Sequence, residues 1–155
     1  MADDHVEGVV ADGEELHLTN DAGALTKVLG LKAIKEPSFM VEELDDTDMD
    51  SGGVKDYQAG LGGWSTFQAT IKHRPGSATH LLIEEHLMSK ERRPFKVVLR
   101  ALNDGSTVEG TGEIILLGYD KPSRTTGSIS DATLTGRVRK YAEGDIVAPP
   151  APAGV

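Results

Sequence analysis

The sequence predicts an α+β fold dominated by β: a twisted antiparallel β-sandwich or partly closed barrel with one flanking α-helix. Three observations predict it. Between residues 64 and 141 most segments alternate apolar with polar residues, as strands with one buried face do. One run only, Ala78 to Met88, has the composition and flanks of a helix. A long acidic, glycine-bearing segment precedes both and cannot supply a core. At 155 residues the chain has room for one domain around one core.

In chain order, residues 1–24 read as an N-terminal arm, acidic and punctuated by Gly8, Gly13 and Gly23, mobile and with room for one short strand. The domain proper spans 25–141, and a strand ends at Val41. Residues 44–63 read as a long loop, from Leu44-Asp45-Asp46 through Gly52-Gly53 to Gly60, Gly62 and Gly63, whose glycines lead into a turn. Trp64 to His73 alternates next, with Phe67, Ala69 and Ile71 on one face and Thr66, Gln68, Thr70 and Lys72 on the other. Ser77 can cap a helix whose apolar stripe is Leu81, Leu82, Ile83, Leu87 and Met88, with Glu84 and Glu85 outward. Lys90, Arg92 and Arg93 suit the negative end of that helix, and Pro94 stops it.

Phe95, Val97, Leu99 and Ala101 share the next strand face, and Asn103-Asp104-Gly105 signals a hairpin turn. A closing pair, Ser106–Tyr119 and Thr125–Tyr141, follows. Ile114 to Leu117 is apolar on both faces, so one side must meet the helix, a second sheet or a neighbour. Ala132, Leu134, Gly136 and Val138 oppose Asp131, Thr133, Thr135, Arg137 and Arg139. Residues 142–155 form a Pro/Ala-rich C-terminal arm. Such arms fray in a monomer and lie on a neighbour in a ring-forming protein; both readings stand.

Hydrophobic residues at 38% and charged residues at 26% describe an ordinary folded domain, while aromatics at 5% make the core mainly aliphatic. Sixteen Lys and Arg against 25 Asp and Glu give a net charge of -9, which disfavours tight binding to nucleic acid. Net acidity also serves solubility alone. The absence of cysteine excludes disulfides and thiolate chemistry. The acidic N-terminus lacks the pattern of a secretory signal, and no stretch approaches the roughly 18 apolar residues of a membrane span. The product is therefore expected to stay in the cytosol of the cell that makes it.

No chemistry-bearing constellation emerges. Asp46, Asp48 and Asp50 alternate as in a calcium loop, but the EF-hand needs Gly and Glu where this chain has Ser51 and Tyr57. The nearest histidine pair along the chain, His80 and His86, falls on different helix faces. Neither a nucleophile elbow nor a phosphate-cradling loop is present. No enzyme activity, cofactor or metal is expected. Trp64 stands at the core edge, or serves with Tyr57 and Leu61 as an interface anchor. The Lys90, Arg92 and Arg93 patch is either solvated or the complement of a neighbour's carboxylates.

The order of phrases carries a resemblance. "LDDTDMDS", "YQAGLGGW" before an alternating strand, "HRPGSATHLLIEEHLMS", "ERRPFKVVL" and the closing strand pair, over roughly Lys32 to Tyr141, resemble the tail tube (major tail) proteins of long-tailed, non-contractile bacteriophages. The resemblance implies a structural virion protein, made in the bacterial host's cytoplasm, that stacks as hexameric rings into the conduit for genome ejection. It implies partners as well: other copies of itself, the tape measure, tail terminator and distal tail proteins, and double-stranded DNA that passes without tight binding. No membrane is implied. By the same resemblance Asp45, Asp46, Asp48, Asp50, Tyr57, Leu61 and Trp64 belong to an inter-ring loop. Lys90, Arg92 and Arg93 become an inter-subunit basic patch. The lumen lining falls to polar strand faces: Thr66, Gln68, Thr70 and Lys72, with Asp131, Thr133, Thr135 and Arg137. The lumen potential is expected to be negative. Two alternatives remain, the tube-forming protein of a type VI secretion system or contractile tail, and a monomeric β-sandwich binding module.

Overall fold

The computed structural model describes residues 13–102 and 104–148, so 1–12 and 149–155 of the expected arms, and Asn103 of the expected turn, lie outside the described residues. The strands are β1 (Glu15–Thr19), β2 (Leu25–Lys27), β3 (Leu31–Lys35), β4 (Phe39–Asp45), β5 (Tyr57–Trp64), β6 (Thr66–Lys72), β7 (Arg93–Arg100), β8 (Thr107–Asp120) and β9 (Asp131–Glu143). One helix, α1 (Ala78–Ser89), lies between β6 and β7. Seven strands form one antiparallel sheet in the order β2-β1-β7-β8-β9-β6-β3, and β4 and β5 form a separate two-stranded ribbon. The two edge strands of the large sheet, β2 and β3, are consecutive in the chain. Only Val28, Leu29 and Gly30 join them, so the sheet must roll up. Val28 N–H donates to Leu16 O at 2.8 Å and Lys72 N–H to Gly30 O at 2.9 Å, stitching the connector to both sides of an unclosed barrel.

Period-two alternation holds along every long strand of this sheet. Leu16 and Leu18, Phe67, Ala69 and Ile71, Phe95, Val97 and Leu99, Ile114 and Leu116, and Ala132 and Leu134 turn inward and are buried. The alternation of β9 is re-phased at Lys140, whose φ of 57° marks a bulge where the β8 register shifts between Thr111 and Glu113. That extra residue turns Tyr141 inward. Its hydroxyl would collide with any side-chain carbon at residue 110, which is why Gly110 stands there.

The helix begins as expected, Ser77 Oγ accepting from His80 N–H, and ends on Lys90 in the left-handed conformation. Its packed face differs from the expected stripe. Thr79, Leu82, Ile83 and His86 are buried, whereas Leu81 and Met88 are exposed. The i, i+3, i+4, i+7 set that meets the sheet includes two polar residues, which hydrophobicity alone passes over. Thr79 Oγ1 accepts from Leu29 N–H at 3.0 Å and ties the helix to the β2–β3 connector. His86 is 1% exposed, and neither ring nitrogen has a hydrogen-bond partner among the described residues.

Two expected boundaries also shift. The inner part of the N-terminal arm supplies β1, and Leu16 and Leu18 are fully buried core residues. At the other end β9 runs to Glu143, and Val147 pairs with Thr107, so residues 143–147 continue along β8.

Burial, and then the nearby Arg93 cation, push His86 below its ordinary value of 6.5 against the pull of the Glu85 and Glu91 carboxylates. A base with a depressed folded pKa contributes stability that is full above its unfolded value and is lost as pH falls. Glu36, raised to about 7 by burial first and then by Glu143, works in the opposite direction, gaining stability as pH falls towards 4.5. Thermal melts between pH 6.5 and 5 should therefore show wild type losing more stability than His86→Leu. Parallel profiles for the two proteins would contradict the buried neutral histidine.

Candidate assembly interface

The segment expected as a long loop is a hairpin. β4 and β5 pair from Phe39 opposite Trp64 to Asp45 opposite Tyr57, with a register shift between Val41 and Glu43. The connecting turn contains a short 3-10 segment, Met49–Ser51, and positive φ at Gly52 and Gly53. The glycines of β5 do not lead into a turn, and two of them, Gly60 and Gly62, receive side chains of β4. A Cβ at Gly62 would strike the Phe39 ring, and one at Gly60 would lie 2.9 Å from Leu44 Cγ. Without side chains of its own at these points, the strand gives no alternating pattern to read, so it passes for a loop.

This ribbon is exposed on both faces. Phe39 is 57% exposed, Met40 65%, Val41 51% and Leu61 84%. A solitary two-stranded ribbon is marginal in water, and apolar residues on both faces call for a partner. Tyr57, Leu61 and Trp64, expected to sit close together, are instead spread along β5. Tyr57 lies across from Asp45, Leu61 lies at the register shift, and Trp64 lies at the base across from Phe39. Trp64 takes the core-edge role. Its ring meets Phe39 edge-on at 5.2 Å and Tyr141 at 5.4 Å; Tyr141 stacks on Phe95 at 6.0 Å, and Phe95 meets Phe67 at 5.7 Å. At the same base Ser38 and Ser65 exchange two hydrogen bonds of 2.8 Å.

The tip is acidic but organised. Thr47 N–H donates to Asp45 Oδ1 at 2.9 Å, Asp50 N–H to Asp48 Oδ1 at 3.0 Å, and Asp56 N–H to Thr47 Oγ1 at 2.7 Å. The Thr47 bonds hold the Asp45 carboxyl below its ordinary value. Gln58 Nε2 donates to Asp46. Carboxylates used as turn caps do not converge on a centre, and no metal-binding group of three or more residues occurs among the described residues.

The expected basic patch divides. Lys90 and Arg92 are exposed, but Arg93 is 8% exposed and faces inward. Its guanidinium makes a two-pronged pair with Glu85, 2.7 Å on each prong, and reaches Glu91 at 3.2 Å. Those carboxylates raise the pKa of Arg93, and Arg93 in turn lowers Glu85. Arg93 is therefore spent within its own chain. Reading along the sequence missed a second basic region, because Lys72, His73 and Arg74 at the end of β6 and Lys121 and Arg124 in the β8–β9 connection lie far apart in the chain. His73 Nδ1 lies 3.2 Å from the Tyr119 hydroxyl, and its ring meets His80 edge-on at 5.0 Å. Burial first, then His80, Lys121 and Arg124, depress His73. Arg74 follows directly, and Lys121 pairs with Glu84 at 2.8 Å.

The eight residues assigned to the lumen share one surface. Thr66 pairs with Arg137, Gln68 with Thr135, Thr70 with Thr133 and Lys72 with Asp131, all on the outer face of β6 and β9. Lys35 of β3 lies beside Gln68, and Lys32 pairs with Asp131 at 3.0 Å. Cations outnumber carboxylates on this face, the opposite of the sign expected for a lumen lining, whereas residues 1–24 and residues 39–64 carry seven carboxylates each. No helix among the described residues is long and apolar enough to cross a membrane.

No protein-family model and no curated protein matches the sequence. Solved structures do match the fold. A chain of the anti-feeding prophage baseplate, 6-fold symmetrised, superposes with a TM-score of 0.71 at 14% identity, over 90% of this chain and 97% of that one. A chain from the tail of the empty GTA particle, with C6 symmetry, gives 0.59 at 15% identity over 88% and 95%. The SPP1 tail tube gives 0.58 at 16% identity over 86% and 77%. At such identities the likeness establishes the fold, which is that of tail tube proteins.

The fit between Phe39 and Gly62 is testable because Trp64 is the only tryptophan. Gly62→Val should displace the Phe39 ring and red-shift Trp64 emission, while the melting of the body changes by less than about 1 kcal/mol. Unchanged emission would show that Gly62 does not seat Phe39.

Proposed function

We propose that this chain is the tail tube protein of a long-tailed, non-contractile phage-like particle, assembling as hexameric rings stacked into the conduit for genome ejection. The observation that carries the reading is the β4–β5 ribbon. It is apolar on both faces, acidic at its tip, and attached to the body chiefly at its base. Such a ribbon gains the burial it lacks by lying on a second copy. Head-to-tail contacts of this kind do not close on themselves and so extend into a filament. The 6-fold and C6 symmetry of two fold neighbours supports the hexamer, and a neighbour that is itself a tail tube supports the filament.

On this reading the outer face of β6 and β9 lines the channel. Its threonines and Gln68 are neutral, and its cations are separated rather than striped. DNA would then pass with weak, salt-sensitive contacts. The protein works as a wall, in the virion tail, with tail terminator, tape measure and distal tail proteins as neighbours. A tube of a contractile or type VI system is the second reading, favoured by the mixture of particle types among the fold neighbours, which includes a type six secretion system protein.

Negative-stain microscopy and sedimentation of concentrated protein test the reading. Wild type should form six-fold rings and tubes in a concentration-dependent way. Deleting residues 46–53 should leave a folded monomer that does not polymerise. A protein that stays monomeric at millimolar concentration, or a deletion variant that still forms tubes, would contradict it.

A further inference from the structure

Resting on that reading, we propose that the surface receiving the acidic hairpin is the basic region around His73, formed by Lys72, Arg74, Lys121 and Arg124, on the next copy of this chain. Two features of the fold lead there. The first is placement. β6 joins the hairpin through Ser65 at its Thr66 end, and leads through His73 and Arg74 into α1 at its Lys72 end. Lys72 pairs with Asp131 and Asp120 pairs with Thr133, so the β8–β9 connection carrying Lys121 and Arg124 lies at that same end. Seven residues of strand, about 20 Å, thus separate the attachment of the hairpin from the basic region. A head-to-tail stack brings opposite ends of successive subunits together.

The second feature is charge. The hairpin carries Glu42, Glu43, Asp45, Asp46, Asp48, Asp50 and Asp56 against a single Lys55. At the other end Lys72, Arg74 and Arg124 are exposed and make no ion pair among the described residues. Lys72 and Arg74 line a groove of about 240 Å³, to which Leu29, 63% exposed, and Ala78 add apolar surface. Met49, wholly exposed at the hairpin tip, supplies a flexible apolar side chain of suitable kind. Of the body's other exposed cations without an ion pair among the described residues, Lys35 and Arg137 stand on the outer face of the sheet read above as the channel lining, Lys90 is a single cation next to Glu91 in the chain, and Arg92 and Lys140 lie beside Glu113 and Arg139, where a carboxylate already answers part of their charge. The basic region around His73 is therefore the better complement to a hairpin with a net excess of carboxylates.

The test uses two charge-reversed proteins. Arg74→Glu with Arg124→Glu makes the receiving surface acidic and leaves the hairpin acidic. Glu42→Arg, Glu43→Arg and Asp50→Arg with Val54→Lys at an exposed position leave four carboxylates against five cations, which makes the hairpin basic and leaves the receiving surface basic; none of these side chains is used in the turn hydrogen bonds described above. Each protein alone, at about 0.15 M salt, should polymerise at least about tenfold less than wild type by sedimentation. Circular dichroism melts should match wild type. Mixed one to one, the two should form alternating stacks, because each hairpin then meets an oppositely charged surface. Failure of the mixture to assemble, or polymerisation of either variant alone at the wild-type level, overturns the assignment. So does loss of assembly in Arg92→Glu with Lys140→Glu while Arg74→Glu with Arg124→Glu polymerises normally. If wild type itself never polymerises, the tube reading fails and the assignment fails with it, a result distinct from failure of the variants alone.

Discussion

The contact between Trp64 and Tyr141 is the point on which the rest of the architecture turns. On one side of it stands a ribbon with little burial of its own; on the other stands a rolled sheet with a complete aliphatic core. Phe39, Trp64, Tyr141, Phe95 and Phe67 form a continuous aromatic file from the first to the second. Aromatic pairs at these separations contribute on the order of 1 kcal/mol each beyond their area. That is enough to fix the angle at which the ribbon leaves the body, and too little to order its far end. The bulge at Lys140 and the bare backbone at Gly110 exist in this structure to let Tyr141 occupy its place.

From that division follows the distribution of charge. A net charge of -9 suggests a uniformly acidic surface, yet the carboxylates of the large sheet and its helix are mostly paired. Glu15 meets Lys27, Glu84 meets Lys121, Glu85 meets Arg93, Glu113 meets Arg139 and Asp131 meets Lys32. Those of the hairpin cap their own turn or face water. Exposed pairs on the sheet contribute little to stability, but they flatten the potential of its outer face. The contrast between a neutralised body and an acidic ribbon gives one end of the subunit a different affinity from the other, as directional stacking requires.

The rolled sheet and its helix were legible because their residues obey simple periods. Trp64 to His73 and Asp131 to Arg139 alternate strictly, so the faces read from the sequence are the faces found. Ser77 was legible as a cap because its hydroxyl acts locally. The ribbon was not, since Gly60, Gly62 and Gly63 erase the alternation of β5 and its carboxylates resemble those of a loop. His86 and Arg93 were misjudged for a related reason. Polarity predicts exposure for each, and only the fold supplies the sheet over His86 and the Glu85 carboxylate beside Arg93. The basic region around His73 is assembled from the end of β6 and the β8–β9 connection, two stretches that only the sheet brings together.

The account stands or falls on whether the ribbon gains its burial from another copy of the chain. Amide hydrogen exchange across residues 39–45 and 57–64, in dilute free protein and in the assembled state, measures this directly. Free protein should exchange quickly at the far end of the ribbon and more slowly beside Phe39 and Trp64, and assembly should protect both strands along their whole length. Equal protection in the free and assembled states would mean that the ribbon is stable alone, and would contradict the account.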